Sequence, residues 1–142
     1  MDDFKREFTD ERGYVAICQY DKDVRDDYVR MAYGLALSIK ATQSGVNKLS
    51  ILVDEDTKVP LRYRHAFDQV IRIPWGDDAY RQSWKIHNKW KVPHITPYKE
   101  TVLLDADMIF PADISHWWDL MDDRSMWITT KPSTYRREPI AQ

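Results

Sequence analysis

One cysteine, four glycines and no apolar run of membrane-spanning length mark what this 142-residue chain lacks. Cys18 has no second thiol to pair with, so no internal disulfide supports the fold. A bilayer crossing needs roughly 20 consecutive apolar residues, and no segment approaches that, so no membrane span is expected. The first dozen residues, MDDFKREFTDER, are charged throughout and carry no apolar region of the signal-peptide kind. An excess of one charge is missing too, because 21 basic and 23 acidic residues leave a net charge of −2. Without a general basic field, nucleic acid is not an expected partner. Together these absences predict a reducing, cytoplasmic setting. Repeats and low-complexity tracts are also lacking, so apolar periodicity and punctuation must define the elements.

What is present suits one packed domain: 43% of the residues are hydrophobic and 13% aromatic. Tyr14 to Cys18 (YVAIC) reads as a buried strand that runs into the polar stretch QYDKDVRDD. From Tyr28, apolar residues at Ala32, Leu35, Ala36 and Ile39 share one helix face, with Asp26 or Asp27 as cap and Gly45 beyond the end. Leu49 to Val53 is a second strand, closed by DEDTKVP, and Pro60 opens a short helix through Phe67. Val70, Ile71 and Ile73 form a third strand stopped by Pro74. Asp77 or Asp78 then caps a helix to about Lys91, ended by Pro93. Thr101 to Leu104 is a fourth strand, and Asp113 caps a short helix with Ile114, Trp117, Trp118 and Met121 in one stripe. Met126 to Thr129 is a fifth strand before the tail KPSTYRREPIAQ. The division is a charged extension over 1–12, an α/β domain over 13–130 and a polar tail over 131–142.

Strands alternating with helical crossovers predict a mostly parallel sheet flanked by helices, a Rossmann-like doubly wound domain. Ligands bind such sheets beyond the carboxyl ends of the strands, where strand order reverses. With the order 3-2-1-4, that crevice lies between the ends of the first and fourth strands. It would be lined by Cys18 to Asp23 and Leu104 to Met108.

The chemistry there lies in LLDADMI. Along an extended segment alternate side chains share a side, so Asp105 and Asp107 converge while Ala106 faces the core. Two carboxylates suit Mn²⁺ or Mg²⁺, hard ions whose remaining positions phosphate oxygens and water can fill. A second acidic triplet, Asp54 to Asp56, follows the second strand, away from the switch point, and reads as a turn, with a place for Asp54 at the rim of the nucleotide pocket as the lesser alternative. His65, His94 and His116 have no metal-ligand spacing, and His87 among tryptophans reads as a packing residue. Cys18, at the end of a buried strand, reads as inert.

The ordered set YVAIC, Tyr28 with Ala32, Leu35, Ser38 and Lys40, FDQVIRI, WKIHNKW and YKETVLLDADMIFPADI resembles the glycogenin-like glycosyltransferases, family 8, of GT-A fold. The resemblance covers about residues 13–121, with a longer loop at Asp21 to Asp27. It implies transfer of a hexose from a UDP-sugar, dependent on Mn²⁺, with retention at the anomeric carbon. It implies Asp105 and Asp107 as metal ligands, Asp105 and Lys85 as donor contacts, and Tyr28 stacked on the uracil. Lys85 also reads as a solvated helix lysine and Tyr28 as a core-edge residue.

Members of that family continue well beyond this length, and their acceptor site and third metal ligand, a histidine, come from the second half. The chain therefore reads as truncated relative to the family, its site completed by a partner chain or oligomer if at all. The acceptor (glycan, protein or small molecule) and the catalytic residues stay unassigned. Two other functions remain open: a noncatalytic nucleotide-sugar-binding module, and a metal-dependent phosphotransfer enzyme. The last usually places its triplet after the first strand, followed by a small hydroxylated residue, whereas here three strands precede and Met108 follows.

Overall fold

A computed structural model describes residues 8–19, 27–76 and 85–121, with the backbone alone at 85–87. The expected fifth strand at 126–129, the tail at 131–142 and the start of the third crossover lie outside the described residues. Four strands, β1 (Asp10–Ile17), β2 (Leu49–Val53), β3 (Val70–Arg72) and β4 (Tyr98–Leu104), form one sheet in the order β3-β2-β1-β4, and every pairing is parallel. Helices flank this sheet: α1 (Tyr28–Thr42), α2 (Leu61–Arg64), α3 (Val92–Ile95) and α4 (His116–Asp119). The architecture is α/β with a parallel sheet, as expected from the alternation of elements. No described helix is long and apolar enough to cross a membrane.

β1 and β2 are apolar on both faces because both are covered. Tyr14, Ala16 and Cys18 on β1 and its continuation, with Leu49, Ile51 and Val53 on β2, pack with the buried stripe of α1. That stripe is Val29, Ala32, Leu35, Ala36 and Ile39, the three-and-four spacing of one helix face. Asp27 caps the helix by accepting a bond from the Arg30 amide at 3.0 Å. Val15 and Leu52 face the other way, against Val92 and Ile95 of α3.

Several element boundaries differ from the periodicity reading, among them the start of β4 at Tyr98 and not Thr101 and the end of α2 at Arg64 and not Phe67. β1 starts at Asp10, four residues before Tyr14, inside the stretch read as a charged extension. Its first residues pair through ion pairs, Arg12 with Glu100, Glu11 with Lys99 and Asp10 with Lys48, which an apolar pattern cannot reveal. The described part of the third crossover is a 3-10 helix, Lys85–Lys91, where an α-helix was expected. Pro93 sits in the first turn of α3, where its missing N–H costs nothing, so it opens a helical turn and does not end one. The last helix starts at His116 behind Ser115, whose amide is held at 2.7 Å by Asp113.

One close approach holds three strands together. A Cβ on Gly13 of β1 would lie 2.4–2.6 Å from ring atoms of Tyr98, so only glycine lets that ring pass. The Tyr98 hydroxyl, fully buried, lies 2.7 Å from Ser50 Oγ on β2 and donates to Asp68 Oδ2 at 3.0 Å. On the opposite face, Trp118 Nε1 donates to the Tyr14 hydroxyl at 3.1 Å, and Tyr14 meets Phe110 and Trp118 edge-on.

Gly13→Ala is expected to lower unfolding stability by about 1–3 kcal/mol, the range for overpacking. Gly34→Ala, in α1 where an added Cβ meets nothing within 4 Å, should raise it by up to about 1 kcal/mol through helix propensity. Urea denaturation of both variants checks the contrast.

Candidate functional site

The register of β1 with β4 decides what meets at the crevice. Ala16 pairs with Leu104, so Cys18 and Gln19 leave β1 beside the point where Asp105 leaves β4. After Leu104 the chain turns at once, closed by the Met108 amide donating to the Asp105 carbonyl at 3.2 Å. Ala106 is buried and both flanking aspartates are exposed, as expected. The cause differs from the one inferred: the triplet lies in a turn and not in an extended segment, so strand alternation does not apply to it.

Two side chains, Ser38 on the first helix and Gln43 at its C-cap, fix the chain beyond this turn. Ser38 Oγ accepts the Phe110 amide at 3.0 Å while donating to the Leu35 carbonyl at 2.8 Å. The buried Gln43 amide donates to the Ala112 carbonyl at 2.8 Å and accepts from the Ile114 amide at 3.0 Å. The acidic turn is thereby bounded by β4 on one side and by bonds to α1 on the other.

Facing it is the 3-10 helix. Lys89 Nζ lies 2.8 Å from Asp105 Oδ1, in a pair whose side chains are 37% and 58% exposed. In a helix with three residues per turn, positions three apart align, and Asn88 and Lys91 are the fully buried row here. Lys89 and Trp90 are turned outward. The resemblance implied Lys85 as the basic residue of this segment that contacts the donor. Lys89 is the one whose ammonium is seen at the acidic turn, and the Lys85 side chain lies outside the described residues.

Beneath Lys89 a chain of side-chain bonds ties the strand ends together. Asn88 Nδ2 donates to Gln19 Oε1 at 2.8 Å, and Gln19 Nε2 donates to Asp54 Oδ2 at 3.2 Å. Asp54 Oδ1 accepts from the Thr57 amide at 2.8 Å and from Thr57 Oγ1 at 2.6 Å. Arg72 donates to the Asp54 carbonyl. Asp54 is therefore the hub of a turn, and the buried Gln19 links that hub to Asn88 of the 3-10 helix. Gln19 falls within the Cys18 to Asp23 stretch expected at the crevice, whereas Asn88 went unnoticed because a neutral amide gives no periodic signal.

Tyr28, the first residue of α1, is half-buried and packs against the larger core cluster. Cys18 is fully buried. His65, His94 and His116 are exposed. Among the described residues no group of three or more His, Cys, Asp or Glu could enclose a metal ion. Asp105 and Asp107 thus offer at most an open pair of oxygen donors, which fits an ion shared with phosphate and water and does not fit a closed protein cage.

No protein-family model matches the chain, and no curated protein matches it. The site is thus read from its own chemistry: an exposed acidic turn, an ammonium against it, and a buried amide pair, Gln19 and Asn88, tying the 3-10 helix to the end of β1.

Burial, and secondarily the negative charge of Asp27, push the Cys18 thiol well above the usual thiol range. The thiol thus stays protonated, and the stability this neutral form contributes is present below the unfolded pKa of about 8.5 and lost as pH rises above it. Iodoacetamide at pH 8 should leave the folded protein unmodified and label Cys18 only after denaturation, as read by intact mass.

Proposed function

We propose that this chain binds a UDP-sugar through Mn²⁺ or Mg²⁺ held by Asp105 and Asp107, as the donor-binding part of a retaining hexosyltransferase of GT-A fold, similar to the glycogenin-like family 8 enzymes. The observation that carries the reading is the β3-β2-β1-β4 order, with the acidic turn following β4 directly beside the end of β1. Crevices of this kind receive nucleotides. A bound divalent ion would supply charge neutralisation to the departing diphosphate.

The chain's own residues have separable tasks in this reading. Asp105 and Asp107 present oxygen donors. Lys89 holds a positive charge at the same place, and in a pair this exposed the attraction is worth under about 1 kcal/mol. An incoming ion and diphosphate can therefore take over Asp105 at little cost, leaving the ammonium free to face a phosphate. Tyr28 offers an aromatic edge at the start of α1 for the base, and Lys85 remains a second candidate for the phosphate. The order of elements disfavours phosphotransfer, since the triplet follows the fourth strand and not the first. A binding module without turnover would use the same residues, and release of sugar from UDP-glucose or UDP-galactose separates it from a transferase.

Titration calorimetry tests donor binding directly. UDP with Mn²⁺ should give heat that Asp105→Asn reduces at least about tenfold in affinity, a loss of 1.4 kcal/mol or more. Asp54→Asn should lower stability and leave UDP affinity within about threefold, because its oxygens serve the turn. Equal effects would overturn the choice of triplet, and no heat at all would end the donor reading. Lys89→Ala should cost more affinity for UDP than for uridine; the same comparison on Lys85→Ala shows which lysine meets the phosphates.

A further inference from the structure

Trp75 and Trp90 expose 51% and 55% of their surface, and their rings stack with centroids 6.2 Å apart and planes inclined by 17°. His94 stands edge-on to both, 6.0 Å from Trp75 and 6.1 Å from Trp90. This aromatic group lies at the carboxyl edge of the sheet. Trp75 follows β3 by three residues, and Trp90 is the chain neighbour of Lys89, which holds Asp105.

The backbone is bent to present it. Trp75 has φ +59° and is the one non-glycine residue with positive φ among those described, followed by Gly76 at +77°. A bulky side chain in the left-handed region costs about 1–3 kcal/mol and persists only where its surroundings impose it. Lys91 contributes here: its side chain is fully buried, its ammonium reaches the Gly76 carbonyl at 2.5 Å and lies 5.6 Å from the Trp90 ring centre. Had burial of apolar surface been the purpose, both indoles would be covered. Half of each is left in water.

We infer that Trp75, Trp90 and His94 form a stacking subsite for a pyranose ring of an oligosaccharide, the acceptor class for the transfer proposed above, on which the acceptor role rests. A pyranose presents C–H groups on its faces and hydroxyls around its rim. The first match an indole face, and the second match an imidazole at the platform's edge. The ligand must lie on an outer face, since entry between the rings would need two contact gaps of about 3.5 Å each. A polynucleotide would also stack, yet it needs a basic field that a chain of net charge −2 does not supply. An uncharged sugar needs none.

The test follows the indole N–H resonances of Trp75 and Trp90 in the whole chain during titration with maltotriose, cellotriose and a short single-stranded DNA. Saturable shifts at both indoles with at least one trisaccharide support the subsite. Trp90→Ala and Trp75→Gly should each weaken that binding at least about tenfold, as for an aromatic anchor. Trp75→Gly should also keep or raise the melting temperature, because glycine accepts the positive φ. UDP–Mn²⁺ calorimetry on Trp75→Gly should match the parent chain. The inference is overturned by shifts with DNA alone, by no shift with either sugar, by a clear fall in melting temperature in Trp75→Gly, or by loss of UDP binding along with sugar binding. Sugar binding in a chain that gives no heat with UDP would support the subsite and end the donor reading instead.

Discussion

The passage of the Tyr98 ring over Gly13 is the constraint on which the rest of the sheet depends. A side chain from β4 crosses β1 where β1 has no Cβ and ends in hydrogen bonds to β2 and to Asp68 before β3. Such a contact allows one register only. Because side chains alternate with period two, a slip of one residue between β1 and β4 would turn Tyr14 and Ala16 away from α1 and Val15 toward it. It would also move the Asp105 turn relative to Gln19. The packing at one end of the sheet therefore specifies the chemistry at the other.

That coupling explains which features were legible in the sequence. Leu49–Val53 and Tyr28–Thr42 follow from apolar run and helical stripe, since burial on two faces or one face leaves those patterns whatever the tertiary context. Strand order entered only as a supposition, the order common in doubly wound folds, and the observed β3-β2-β1-β4 agrees with it. The start of β1 was hidden because charged side chains do the pairing there. The 3-10 helix was hidden because four of its seven residues, Lys85, His87, Lys89 and Lys91, are basic or titratable and spaced by two, a pattern that fits no helical period. Lys85 was named by resemblance alone, and nothing in the local pattern singled out Lys89.

The site shows the same division. Ala106 was read as the buried member of its triplet, and it is, but through a tight turn and not a pleat. Asp54 was read as a structural turn residue, and its carboxylate does hold Thr57. Its link through Gln19 to Asn88 ties the end of β2 to the 3-10 helix that carries Lys89, which strand order alone would not suggest. Amide side chains bridge elements far apart in the chain, 69 residues in the case of Asn88 and Gln19, and nothing local announces such partners.

The two acidic triplets differ most usefully in what their oxygens already do. Asp54 accepts three bonds from within the protein, on both carboxylate oxygens, in a part-buried setting. Recruiting it to an ion would break bonds whose loss leaves polar groups stranded, at about 1–3 kcal/mol each. Asp105 meets one ammonium on one oxygen, more than half exposed, and that ammonium belongs to a long side chain able to swing aside. Exchange of partners is thus inexpensive at Asp105 and costly at Asp54. A ligand site needs groups held in place by backbone yet uncommitted in their side chains, and the turn after β4 meets both conditions: β4 and the Ser38 and Gln43 bonds hold its path while its carboxylates face water. On that ground the acidic turn beside β1, and not the one beside β2, is where this fold can bind.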